Sequence, residues 1–219
     1  MKPSRFVALT AQLAFIALAA VGTFGFVRTA RDGEIRRRCG PICLSRPTYA
    51  AANRLAPEVE FTGALGEHLA LTSLRGKAVL LNFWSMSCPP CMGEMPDLAT
   101  LARALAGRTD VTLVTVSTDD DPAGALVALR AALGGEPPFP VFFDPTRAVV
   151  DGRFGTRKYP ETWLIDPRGV IRARYDGPRA WSHGFMLDLL DQLAAGSYCP
   201  VFFSGGRELS RSLCAAFEP

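Results

Sequence analysis

The sequence predicts an α/β fold, in which a β-sheet has its central strands covered on both faces. Three observations support this prediction. Short apolar runs of strand length alternate with segments whose apolar residues recur at helical spacing. A hairpin and a last helix close the alternating region. Hydrophobic residues make up 48% of the 219-residue chain, so a substantial core can form.

The predicted elements follow one another between residues 79 and 195. Val79–Trp84 is an apolar strand that ends just before two cysteines. Asp97–Ala106 carries leucines at helical spacing and is ended by Gly107. The other predicted elements are a strand at Val111–Val116, a helix from Pro122 to Leu133, a strand at Pro140–Phe143, an irregular helix near Arg147–Phe154, a hairpin of Thr162–Asp166 and Val170–Tyr175, and a helix at about Ala180–Ala195.

An uncharged apolar segment occupies residues 6–27. As a helix it would be ~33 Å long, enough to cross a ~30 Å hydrocarbon layer. The arginines that follow it supply much of the net charge of +3, so we expect a membrane-proximal cluster and no nucleic-acid partner. We therefore expect one transmembrane helix that anchors the chain. A cleaved signal peptide is the alternative, because Ala17-Leu18-Ala19 has the form of a cleavage site.

Composition also sets the predicted domain boundaries. Residues 28–56 have no sustained period and form a linker, residues 57–196 form the globular domain, and residues 197–219 form a tail. Four of the six cysteines flank the globular domain: Cys39, Cys43, Cys199 and Cys214. Four cysteines allow three pairings, and the sequence does not choose among them. This cysteine usage favours an oxidising compartment, so we expect the domain outside the cytoplasm.

The stretch NFWSMSCPPCMGEMP places Cys88 and Cys91 between an apolar strand and a helix. At a helix start, backbone N–H groups and the helix dipole stabilise a thiolate and lower its pKa. A second sulfur three residues later can then attack a mixed disulfide. The pattern predicts a redox-active dithiol with Cys88 as nucleophile and Cys91 as resolving thiol. A zinc site would need a second cysteine or histidine pair at ligand spacing, so we expect no metal and no cofactor.

This stretch and KYPETWLIDPRGVIRARYDG at residues 158–177 resemble the membrane-anchored thioredoxin-like proteins of the TlpA/ResA/CcmG type. The resemblance covers about Pro57–Ala195. It implies a thioredoxin-like fold with a central mixed sheet, on the periplasmic or outer side of a bacterial cytoplasmic membrane. It also implies reduction of disulfides in exported proteins, among them apocytochrome c, with electrons from a membrane thiol reductase.

The resemblance implies roles for the segment Tyr159, Pro160 and Glu161 in binding substrate. Pro160 corresponds to a cis-proline that faces the dithiol, a minority conformation that the fold must hold. Its alternative is an ordinary proline at the start of a strand. Glu161 corresponds to an acidic residue of the cytochrome-maturation branch, and its alternative is a solvated loop charge.

The resemblance also implies a catalytic role for Glu94. Three residues after Cys91, a helix brings its carboxylate near the side of that sulfur, where it could accept a proton. The alternative is an exposed charge that complements the helix dipole. Ser87 departs from the family, which usually has tryptophan before the first cysteine, so the substrate and the reductant stay open.

Three functions are compatible with the sequence. The first is a thiol-disulfide reductase, and the second is an oxidase that uses the same dithiol. The third is a binding or metallochaperone module that uses the outer cysteines, since CGPIC at residues 39–43 has the spacing of Sco-type copper chaperones. A copper site also needs a distant histidine, and this CGPIC lies in the linker. A peroxidase is disfavoured, because its threonine-containing cysteine motif is not found.

Overall fold

The computed structural model describes residues 12–27, 55–196, 203–204 and 207–208. Residues 12–27 form helix α1, and its large apolar side chains are exposed. Among the described residues, no helix has both the length and the apolar character needed to cross a membrane. Residues 6–11 of the predicted anchor lie outside the described residues. So do the four outer cysteines: Cys39, Cys43, Cys199 and Cys214.

Seven strands form one mixed sheet within residues 55–196. They are β1 (Glu60–Gly63), β2 (His68–Ala70), β3 (Ala78–Trp84), β4 (Val111–Ser117), β5 (Val141–Phe143), β6 (Glu161–Ile165) and β7 (Ile171–Asp176). The spatial order is β2-β1-β5-β4-β3-β6-β7. The pairs β3–β4 and β4–β5 are parallel, and the other neighbours are antiparallel. A separate two-stranded ladder joins β8 (Phe203–Ser204) and β9 (Arg207–Glu208).

Three helices cover one face of the sheet: α2 (Pro89–Ala104), α3 (Pro122–Leu133) and α4 (Gly184–Ala194). Their buried residues form one hydrophobic cluster with Leu80 and Trp84 of β3. The opposite cluster contains Val79 and Phe83 of β3 together with residues of β1 and of the segment between β5 and β6. Side chains of β3 thus alternate between two buried faces, which explains why this strand is apolar almost throughout.

The predicted irregular helix near Arg147–Phe154 is wrong, because these residues form a series of turns. Arg147 has a φ of 58°, in the left-handed region that a right-handed helix excludes. The Asp144 carboxylate accepts the N–H groups of Val149 at 2.9 Å and Val150 at 2.7 Å. The N–H groups of Gly152 and Thr156 donate to the carbonyls of Arg147 and Val150, five and six residues earlier, so the regular four-residue spacing of an α-helix is not kept. Turns, rather than a helix, therefore cover the second face of the sheet at this point.

Helix α4 begins later than the sequence predicts. The residues before it are held by α2, because the backbone N–H of Arg179 donates to Glu94 at 3.2 Å and that of Ser182 donates to Asp97 at 2.9 Å. His183 then caps α4, with Nδ1 accepting the N–H of Phe185 at 3.3 Å. These contacts fix the segment before α4 against the helix that follows the dithiol.

Candidate active site

Cys88 and Cys91 lie where β3 ends and α2 begins, and they form a disulfide with an S–S distance of 2.12 Å. The chain turns between Ser85 and Cys88, with the N–H of Cys88 donating to the Ser85 carbonyl at 3.1 Å. Cys88 is partly exposed, whereas Cys91 is completely buried. The two sulfurs therefore differ in their access to a substrate.

Cys88 is the N-cap of α2, because its Sγ accepts the N–H of Cys91 at 3.2 Å. Pro89 and Pro90 occupy the first helical positions, where no N–H is required and the fixed φ of proline suits the helix. The helix therefore begins at the cysteines, as the dithiol pattern predicts, and continues through Pro96 into the segment that starts at Asp97. A thiolate on Cys88 would lie at a helix N-terminus, which stabilises negative charge.

Glu94 follows Cys91 on α2 and is buried, with only 3% of its surface exposed. Its carboxylate accepts three N–H groups: the side-chain amide of Asn82 at 2.8 Å, the backbone of Arg179 at 3.2 Å and the indole of Trp181 at 3.1 Å. Burial raises the pKa of Glu94, and these hydrogen bonds oppose the rise without cancelling it. The alternative of an exposed first-turn charge is therefore wrong.

Asn82 is a site residue that the sequence interpretation missed. Its amide donates to Glu94 and also to Oγ1 of Thr162 at 2.9 Å, so it joins β3 to both α2 and β6. Within the described part of the chain, Oδ1 of Asn82 has no hydrogen-bond partner. A signal was available, because an asparagine inside an otherwise apolar strand needs a buried polar partner.

The Tyr159–Pro160 peptide bond is cis, which confirms the conformation that the resemblance implies. Glu161 pairs with Phe83, so the start of β6 lies beside the end of β3. Cys88 follows that same end of β3 by a short turn. The cis-proline and the dithiol therefore lie at the same end of the strands, where β3 ends and β6 begins. We call this end the dithiol edge of the sheet.

Tyr159 is half-buried beside this proline and packs against both hydrophobic clusters. Its hydroxyl donates to Oδ1 of Asp151 at 2.9 Å. Partial burial raises the pKa of Tyr159 to about 12, so the phenol stays protonated at neutral pH. Tyr159 therefore provides a fixed, neutral side chain next to the cis-proline.

Glu161 differs from both sequence interpretations. Its side chain is completely buried and accepts hydrogen bonds from the Thr156 hydroxyl, the Trp163 indole at 3.0 Å and the Arg174 guanidinium at 2.7 Å. Burial raises the pKa of Glu161, while Thr156 and Arg174 act to lower it. The carboxylate is neither a solvated loop charge nor accessible to an extended substrate. Its hydrogen bonds fix the start of β6, directly after Pro160 in the chain.

A third buried carboxylate of the site, Asp119, holds the turn that precedes the dithiol. It accepts the backbone N–H of Met86 at 2.8 Å and the hydroxyls of Ser85 at 2.8 Å and Ser117 at 2.7 Å. Ser85 in turn contacts Oγ of Ser87 at 2.8 Å. The sequence interpretation singled out Ser87 but missed Asp119, because only the pairing of β3 with β4 brings these residues together.

No set of three or more histidine, cysteine or acidic side chains is placed to hold a metal ion in the part of the chain that the structure describes. The outer cysteines of the metallochaperone alternative are outside that part. The groups brought together at the described site are the dithiol and one buried carboxylate, Glu94, one helical turn from the inner sulfur.

Known sequences similar to this chain include a thioredoxin-like protein and thiol-disulfide oxidoreductases. The model of the AhpC/TSA family matches residues 52–174. Thioredoxin-like protein YneN of Bacillus subtilis is 29% identical over 117 residues, which are 53% of this chain and 66% of YneN. Thiol-disulfide oxidoreductase ResA of Halalkalibacterium halodurans is 32% identical over 128 residues, which are 58% of this chain and 67% of ResA. The chain thus spans about two thirds of the length of these relatives.

A solved structure shares the fold. A crystal structure from Chlorobium tepidum, provisionally assigned as a thiol:disulfide interchange protein DsbE, superposes with a TM-score of 0.55 at 25% identity. The match covers 66% of this chain and 99% of that chain. The predicted thioredoxin-like fold with a mixed central sheet is confirmed.

Proposed function

Since the chain belongs to the AhpC/TSA family and is a thiol-disulfide oxidoreductase, we propose that it reduces disulfides of exported proteins through Cys88 and Cys91. The observation that carries this proposal is the asymmetry of the dithiol. Cys88 is partly exposed at a helix N-terminus, and Cys91 is buried one turn from a buried carboxylate. An attacking thiol needs access and thiolate character, whereas a resolving thiol needs only to reach the first sulfur.

Two thiol-disulfide exchanges complete the proposed reaction. The Cys88 thiolate attacks one substrate sulfur, the substrate S–S bond breaks, and the released substrate thiolate takes up a proton. The Cys91 thiol loses its proton to a base, and its thiolate attacks the Cys88 sulfur. The mixed disulfide breaks, and the second substrate thiolate leaves and is protonated. Two electrons and two protons pass to the substrate, and the Cys88–Cys91 disulfide forms.

Glu94 is the proposed base for Cys91. The two residues are one turn apart on the buried side of α2. Three N–H donors hold the carboxylate in a single orientation, ready to accept a proton. Its raised pKa brings it closer to that of a thiol, which reduces the free energy needed for the transfer.

The proposed substrate is an extended polypeptide segment that lies against Tyr159 and the cis-Pro160. Their position at the dithiol edge of the sheet supports this placement. The resemblance seen in the sequence suggests apocytochrome c as one such substrate. It also suggests a membrane thiol reductase as the partner that returns the Cys88–Cys91 disulfide to the dithiol.

The proposed location is the periplasmic or outer side of a bacterial cytoplasmic membrane, with residues 6–27 as anchor. The absence of charge in that segment and the exposed apolar side chains of α1, such as Phe15 and Leu18, support the anchor. We expect the full-length chain to sediment with membranes and to resist alkaline carbonate extraction. A chain lacking residues 1–27 should be soluble. Expression of the full-length chain that yields a soluble product cut after Ala19 would contradict the anchor and favour the signal peptide.

The direction of the reaction is tested by the midpoint potential of Cys88/Cys91. Changing the four outer cysteines to serine in the full-length, detergent-solubilised chain leaves this dithiol as the redox pair. We expect a potential near or below about −250 mV in equilibrium with dithiothreitol buffers, in the range of thioredoxin-like reductants. A value near about −120 mV is that of an oxidant, and it would support the oxidase alternative instead.

A further inference from the structure

Ser87, the residue before the nucleophile, ends a chain of hydrogen bonds that starts at a buried carboxylate. Asp119 is 8% exposed and accepts the Ser85 hydroxyl at 2.8 Å. A serine hydroxyl has only one proton, and Ser85 donates this proton to Asp119. The 2.8 Å contact between Oγ of Ser85 and Oγ of Ser87 must therefore use the proton of Ser87.

The direction of this chain determines what Ser87 offers to a substrate. Its backbone N–H also donates to Oγ of Ser85, at 3.2 Å. Both polar hydrogens of Ser87 thus point inward, while the side chain itself is exposed. The lone pairs of its hydroxyl oxygen are left for solvent or substrate. An acceptor beside Cys88 is complementary to a backbone N–H of a polypeptide.

Asp119 fixes the geometry of the turn as well as the direction of its hydrogen bonds. The N–H of Met86 and the hydroxyl of Ser117 donate to its second oxygen, at 2.8 and 2.7 Å. The Ser85 carbonyl accepts the N–H of Cys88 at 3.1 Å, so the same turn carries the nucleophile. One buried side chain therefore orients both the acceptor and the sulfur next to it.

We propose that Ser87 is a specificity-determining residue that accepts a hydrogen bond from a backbone N–H of the substrate, and that Asp119 is the positioning residue that orients it. This inference rests on the proposed function and deepens it, because it names the side chain through which a polypeptide disulfide is preferred to a small one. A hydroxyl at position 87 forms a directional polar contact with the peptide, which a bulky apolar side chain would not form.

The test compares insulin, a polypeptide with disulfides, with hydroxyethyl disulfide, which has no peptide N–H. Dithiothreitol regenerates the dithiol in both assays. Ser87→Ala should lower kcat/KM for insulin about three- to tenfold, mainly through KM, which is the effect of one lost hydrogen bond. The loss for hydroxyethyl disulfide should be clearly smaller. Ser73→Ala removes an exposed hydroxyl that bonds only the Ala70 carbonyl, and it should change neither substrate.

Asp119→Asn tests the positioning role. An amide can donate to Ser85, which frees the Ser85 proton to point at Ser87. The Ser87 proton then turns outward, so a donor replaces the ordered acceptor. We expect the same KM effect for insulin as with Ser87→Ala, and no further loss when the two changes are combined, because both act through one hydroxyl. Ser85→Ala breaks the same chain and provides the result if Asp119→Asn does not fold.

Different outcomes overturn different parts of the inference. Equal losses for insulin and hydroxyethyl disulfide in Ser87→Ala would overturn the specificity role of Ser87. Additive losses in the combined variant would overturn the positioning role of Asp119. Failure of the unchanged protein to reduce either disulfide would instead overturn the proposed function. Ser87→Thr keeps the hydroxyl and should keep the preference for insulin.

Discussion

Replacing Cys88 with serine should abolish disulfide exchange, lowering the rate of insulin reduction by at least about 10³-fold, because the nucleophile is lost. Serine is a good N-cap, so its hydroxyl can still accept the Cys91 N–H at the start of α2. The variant should therefore fold normally, and thermal unfolding by circular dichroism checks this. The loss of activity can then be assigned to the missing sulfur.

Replacing Cys91 with serine is the matched control, and it should have a different result. Cys88 is still present and accessible, so the first exchange proceeds and a mixed disulfide with the substrate accumulates. Non-reducing electrophoresis or intact-mass measurement detects this adduct. If Cys91→Ser loses the adduct while Cys88→Ser retains it, the proposed roles of the two cysteines are reversed.

Replacing Glu94 with glutamine should slow the release of substrate by about 100-fold at neutral pH, the lower end of what general base catalysis contributes. The amide cannot accept the proton of Cys91, so the mixed disulfide on Cys88 should persist. The fold should tolerate the change, because Asn82 can turn its amide and offer Oδ1 to the new NH₂ group. That oxygen has no partner within the described residues. Stopped reactions analysed by mass spectrometry measure the adduct.

The pH profile separates this role from a merely structural one. A carboxylate acts as a base only when ionised, so the rate in the unchanged protein should rise with pH through the pKa of Glu94, which lies above its ordinary value of 4.5. Glu94→Gln should lack this rise, and its deficit should shrink at alkaline pH, where Cys91 ionises without help. Glu136→Gln makes the same change at an exposed carboxylate that pairs with Arg130, and it should keep the normal profile.

Stability should depend on pH in the opposite direction. Because the pKa of Glu94 is raised in the folded chain, the folded state holds a proton that the unfolded chain has released above pH 4.5. The contribution of Glu94 to the free energy of unfolding is therefore fully present at low pH and is lost as pH rises through the raised pKa. Glu161 contributes with the same sign. Glu94→Gln should flatten this fall in urea titrations, and an unchanged slope would contradict the raised pKa.

The sequence predicted the dithiol and much of the sheet because both depend on local patterns. Residues of VLLNFW are apolar on both sides of an extended chain, apart from one asparagine, so this run predicts a strand buried on both faces. The structure places it as β3 in the interior of the sheet. Two prolines after Cys88 suit the first turn of a helix, and α2 starts there. The irregular helix near Arg147–Phe154 was a wrong prediction, because the left-handed backbone of Arg147 and the turns that follow it cannot be read from periodicity.

The surroundings of the dithiol were decided by the tertiary structure. Glu94 could have been an exposed charge or a buried base, and docking of the segment before α4 determined that it is buried, with Trp181 as a donor. Glu161 follows the cis-proline in the sequence, but the alternation of side chains along β6 turns it to a closed face with Trp163 and Arg174.

By itself the sequence determined which residues are reactive: two cysteines three apart at a strand–helix junction, and the order of strands and helices around them. Only the tertiary structure decided which carboxylates are buried and which serine faces outward. The physical reason is that these properties depend on partners far away along the chain, such as Asp119, which follows the strand next to β3. Burial and hydrogen-bond direction arise when strands pair and helices pack, and no local pattern encodes them.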